Sequence, residues 1–219
     1  MRATQLVKNL LLASSLALAA LPMACKTAEV HDRASSTADC VVAVGGAAGQ
    51  TQLHLDNTLA ALEQIAATAK QDPMPAFKTF ADSFDAFGRN LTTLTKQRST
   101  LETEAMAWFT DFEKQNAAIQ DPALRKQGDQ RLADFRTKVG GVSGQVDSLM
   151  SEALALQGHL KDLRTFLGND LTPAAIASVS SRITDSAKEG RKVAEGLGKL
   201  SKASGELATS LRAARAPAQ

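Results

Sequence analysis

Residues 77–112 read FKTFADSFDAFGRNLTTLTKQRSTLETEAMAWFTDF. Their apolar side chains recur in alternating steps of three and four, as Phe77, Phe80, Phe84, Phe87, Leu91, Leu94, Leu101, Ala105, Trp108 and Phe112, with Arg98 the one charged residue in the series. Steps of three and four keep a single stripe on one side of a 3.6-residue helix, and a rhythm held this long is the seam of a coiled coil.

The same step continues on both sides. After Asp121-Pro122 it runs Leu132, Phe135, Val139, Val142, Val146, Leu149, Ala153, Leu156, Leu160, Leu163 and Leu167, stopping at Gly168-Asn169. It reopens at Thr172-Pro173 and passes through Ile176, Val179, Ile183, Ser186, Gly190, Val193, Leu197, Leu200, Ser204, Leu207 and Leu211. Upstream, Leu55, Leu59, Leu62, Ala66 and Ala69 predict a shorter helix from Gln52 that ends at Asp72-Pro73-Met74-Pro75. A capping side chain followed by proline favours the first turn of a new helix, because proline lacks an N–H that this turn does not need.

Three helices of about 40 to 45 residues make rods of roughly 60 to 65 Å at 1.5 Å per residue. Links this short force consecutive helices to fold back on one another. The expected fold is therefore all-α: an elongated antiparallel bundle of three long helices plus one shorter N-terminal helix beside the Phe77 to Phe87 end. A period of seven predicts left-handed coiled-coil packing. Composition points the same way, since the 219 residues are 44% hydrophobic but only 4% aromatic, without tyrosine, which favours helix over strand.

The first residues carry Arg2 and Lys8, an apolar run over 10–21, and Pro22-Met23-Ala24-Cys25. A basic start, a short greasy run and a small residue at its end are the parts of a signal peptide, here residues 1–24. The run falls short of the roughly 20 residues that span a bilayer, so a retained transmembrane anchor is the weaker reading. The segment ending in Cys25 resembles the bacterial lipobox, with Pro22 where that pattern usually has leucine. The resemblance implies that Cys25 is acylated, and Lys26, in place of an aspartate, implies the outer membrane. Cys40 is then a lone thiol; were Cys25 left free, the two would be able to close a small loop. Residues 25–50, rich in Ala, Ser, Thr and Gly, read as a flexible tether, and 51–215 as the bundle.

Two of the 25 basic residues leave with the signal peptide, so 23 remain against 23 acidic ones. A neutral chain has no field for nucleic acid. No metal site is expected, since His31, His54 and His159 are scattered and there is no Cys-x-x-Cys. No cofactor is implied and no catalytic motif is present, so an enzyme is not expected.

Trp108-Phe109-x-x-Phe112-Glu113, Asp121-Pro122-Ala123-Leu124-Arg125, residues 130–136 (QRLADFR) and Leu167-x-Asn169-x-Leu171-x-x-x-Ala175-Ile176 together resemble an uncharacterised family of secreted and lipid-anchored bacterial proteins, known as a domain of unknown function. The likeness covers residues 53–211. It implies a coiled-coil helical fold and no particular activity.

Candidate functional positions lie at one level of the folded hairpins. Arg98 is expected there with Asp147 or Glu195 as partner, fixing register or letting its head reach the rim. Gly140, Gly141, Gly144, Gly196 and Gly198 should fall at the same height. Glycine weakens a helix, so close helix approach or a bend is the expected reason for them, and this level should be the weakest in the bundle. The phenylalanine stripe reads as core. The functional expectation is a non-enzymatic envelope protein of the periplasm, a scaffold or interaction module for a protein partner, held to the membrane by its lipid, with self-association left open. The alternative is a bundle that binds lipid or another hydrophobic ligand.

Overall fold

A computed structural model describes residues 21–213, with side chains from residue 30 onward. These residues form five helices and no strand: α1 (Leu21–Ala67), α2 (Met74–Ala117), α3 (Pro122–Asn169), α4 (Pro173–Ser178) and α5 (Ser180–Ala213).

The breaks fall where the caps and prolines are. Asp72 accepts a hydrogen bond from the backbone N–H of Met74 at 3.0 Å as α2 begins. Asp121 accepts from the N–H groups of Ala123 (2.7 Å) and Leu124 (3.2 Å), with Pro122 in the first turn of α3. Thr172 does the same for Ala175 at 3.3 Å at the start of α4. Each cap satisfies a donor that a helix start leaves without a partner. One break carries no proline: at Val179 (φ −107°, ψ 9°) the expected fourth rod divides into α4 and α5.

Seam residues fill the core. Leu94, Val142 and Val193 are 0%, 5% and 3% exposed, so the three long seams face inward. In the first helix the stripe turns through Ile65 rather than Ala66, which is exposed. Phe80 and Phe87 are fully buried near one end, while Trp108 stacks within 5.2 Å of Phe109 and 5.3 Å of Phe135 toward the other.

Charged side chains at the rims show how the rods run. Asp85, Arg98 and Glu113 of α2 meet Arg164, Asp147 and Arg136 of α3, so the numbers fall on one helix as they rise on the other. On α1, Arg33 meets Asp111 of α2, while Asp39 and Glu63 meet Arg212 and Arg191 of α5. Helix α3 also reaches α5, through His159 and Glu189. Exposed pairs of this kind are each worth about 0–1 kcal/mol, so they tune register more than stability.

The first helix departs from expectation. Residues 25–50 are not a free tether: α1 is a single helix of 47 residues, as long as its neighbours, and Val30, Thr37, Ala38, Val41, Val44, Ala47 and Ala48 are buried. The three-four spacing is present there, but carried by Ala, Thr, Val and Gly instead of Leu, so little apolar bulk marks it. Thr51 and Thr58 donate their hydroxyls back to the carbonyls of Ala47 (2.7 Å) and His54 (2.6 Å), which lets them pack like small apolar residues. Small side chains also bring axes together. Helix α1 lies closest to α2 and α5, whereas α3, with its Leu, Val and Phe seam, packs less closely on the same two.

Candidate functional site

Arg98 reaches the rim of the α2–α3 interface. Its guanidinium donates to Asp147 at 2.8 Å and to Glu102 on its own helix, and the side chain is 26% exposed. The aliphatic stem lies at the seam while the terminal nitrogens reach the carboxylates at the rim, as a long basic side chain does when it sits at the edge of a core. Its Nε is buried without a partner. Glu195 is not part of this group: it pairs with Lys199 one turn on at 2.6 Å, and the hydrogen bond and charge of that lysine hold its carboxyl below the usual range.

The five glycines do not share one function. Gly140, Gly141 and Gly144 lie on the outside of α3, where an added Cβ meets open space, so they permit no close approach. Gly196 faces Leu149 of α3, and Gly198 faces Gln52 of α1. At Gly196 an added Cβ would meet the end of the Leu149 side chain at 2.4 Å, and tight contacts also occur outside that set. A Cβ on Gly45 would come within 2.9 Å of Ser204 Cβ and 3.2 Å of the Ser201 carbonyl oxygen, and one on Gly190 would meet Leu59. Gly45 stands in the stretch read as a tether, and Gly190 was legible as a seam position, but their pairing across α1 and α5 needed the folded chain.

Cys25 lies in α1, but its side chain is outside the described residues, as are residues 1–20, which hold most of the expected signal peptide. Cys40 is half-buried and free. Burial first, then the charges of Glu104 and Asp39, push its thiol above the ordinary value and so disfavour the thiolate. A Cys25–Cys40 loop does not fit, because fifteen residues of helix separate them by about 22 Å, against the 7 Å limit for a disulfide.

One open groove of about 670 Å³ lies where α3 meets the start of α5, lined by His159, Asp162, Phe166, Arg182, Asp185 and Glu189 among others. His159 Nδ1 is 3.2 Å from Glu189 across it, and Phe166 is 42% exposed. Its walls carry three carboxylates, Asp162, Asp185 and Glu189, against the guanidinium of Arg182 and the imidazole of His159, so both signs are present with acids in excess. Among the described residues no three His, Cys, Asp or Glu side chains converge as metal ligands would.

No known relative can be set beside this geometry. Compared with family models, curated proteins and solved structures, the chain matches none. Among the described residues, no helix is long and apolar enough to cross a membrane.

Proposed function

We propose that this protein is an exported, lipid-anchored component of a bacterial envelope, acylated at Cys25, that acts as a non-enzymatic scaffold or spacer for a protein partner in the periplasm. The single observation supporting this is the continuous core: seam residues from Val30 to Leu211 are buried in one cluster, so the helices spend their apolar faces on each other. Charged residues then line the outside, where many pair between helices. A long body with closed seams and a solvated surface suits holding things apart or together. In the finer reading, the rods form an antiparallel bundle with left-handed coiled-coil packing, as the repeat of seven favours.

Cross-linking in intact cells, followed by mass spectrometry of the trapped species, tests the proposal. A specific envelope protein recovered with the wild-type chain supports it. Vesicles or detergent separate the lipid-carrier reading: they leave the helical signal and its melting point unchanged for a closed scaffold, and a strong rise in either overturns the scaffold reading in favour of a bundle that opens around lipid.

A further inference from the structure

Resting on the reading of Cys25 as the lipid anchor, we infer that the α2–α3 turn is a membrane-facing surface, with Leu124, Arg125 and Lys126 lying against the headgroups of an anionic bilayer. A flexible tether would leave the bundle free to take any orientation. The structure has no such tether, since α1 runs unbroken from Leu21 through the position of Cys25 to Ala67.

Helix lengths then set the heights. From Cys25 to Ala67 the chain climbs 42 residues, about 63 Å, and α2 returns over its 44 residues, about 65 Å, so Ala117 comes back to the level of the anchor. An independent contact agrees. Arg33, about 12 Å above Cys25, pairs at 2.6 Å with Asp111, about 9 Å above Ala117. The turn that follows, residues 118–121, therefore sits at the bilayer surface, and the opposite end of the bundle at Pro73 and Asn169 points away from it.

The chemistry of the turn suits that position. Leu124 is 54% exposed beside Arg125 and Lys126, which are exposed and make no ion pair among the described residues. The nearby acids face other partners, Asp121 the start of α3 and Asp129 the amide of the buried Asn116 at 2.6 Å, and among the described residues neither ion-pairs with Arg125 or Lys126. Asn116 also donates to the carbonyl of Arg125 at 2.9 Å, tying the start of α3 to the end of α2 and holding the basic pair in place. Lys and Arg this near an anionic leaflet lie within its screening length of about 8 Å, and one acyl chain joined to a basic patch is a recurrent two-part anchor.

The test uses the acylated protein in vesicles of phosphatidylcholine and phosphatidylglycerol containing headgroup spin-labelled lipid. With Cys40→Ser as background, a fluorophore is placed at Leu124→Cys or, at the far end, Asn169→Cys. Quenching should be several-fold stronger at 124 than at 169, and should weaken at 124 on pure phosphatidylcholine or with Arg125→Gln and Lys126→Gln while the protein stays bound. Equal quenching at the two sites, or quenching at 124 that ignores lipid charge, overturns the inference. The mass of the N-terminal peptide is read in parallel: an unmodified Cys25 removes the anchor reading itself, whereas an acylated Cys25 without quenching at 124 removes only the orientation.

Discussion

Replacing glycine with alanine should have opposite signs at two places in this bundle. At Gly140 the new methyl points into open space, so only helix propensity changes, and Gly140→Ala should stabilise by about 1 kcal/mol. Gly45→Ala gains the same propensity term. Its methyl, however, lands 2.9 Å from Ser204 Cβ and 3.2 Å from the Ser201 carbonyl oxygen, atoms fixed to the α5 backbone that cannot swing aside. Separating α1 from α5 to relieve this should cost about 1–3 kcal/mol, the usual range for overpacking, leaving a net loss of about 0–2 kcal/mol. Urea unfolding followed by helical circular dichroism reads both, and Ser204→Gly in the Gly45→Ala background should recover part of the loss as a positive coupling. If Gly45→Ala raises the midpoint as much as Gly140→Ala does, α1 does not lie against α5 and the packing argument fails.

Val41, fully buried, should lose about 2 kcal/mol on change to alanine through lost burial and the cavity left behind, and amides around it should exchange slowly; a free tether would show neither effect. Asp121→Ala removes the α3 cap and should cost about 1 kcal/mol in the same urea assay, while Asp121→Asn should cost less. For Asp170, a backbone hydrogen bond from Thr172 and then its hydroxyl hold the carboxyl below its usual value; the stabilisation is therefore present above the ordinary carboxylate range and fades as pH falls below it, so a melting curve of Asp170→Ala should differ from wild type at neutral pH and converge with it in acid. Asp56 has the reverse sign: burial raises its pKa, so the ionised form weighs against folding at neutral pH, and Asp56→Asn should raise the melting point there by an amount that vanishes below the carboxylate range.

The parts legible before folding were those written in large side chains. Phe80, Leu94, Leu101, Val142 and Leu197 mark their stripes by bulk alone, and Asp121-Pro122 and Thr172-Pro173 mark the breaks by chemistry local to a few residues. Residues 30–48 keep the same spacing with Ala, Thr, Val and Gly, and there hydrophobicity has too little contrast to show a face. Their face is marked instead by what lies beside it, α2 and α5, which only the folded chain shows. The break at Val179 is similar, since no proline or glycine announces it.

Local sequence thus determines where helices run and which long side chains turn inward, because period and capping act over a turn or two of chain. Which small residue meets which, that Gly45 opposes Ser204 while Gly140 opposes nothing, and that Asp147 rather than Glu195 answers Arg98, depends on the rotation and offset of whole rods. Those are set by packing summed along some 60 Å of interface, which no short stretch of residues contains.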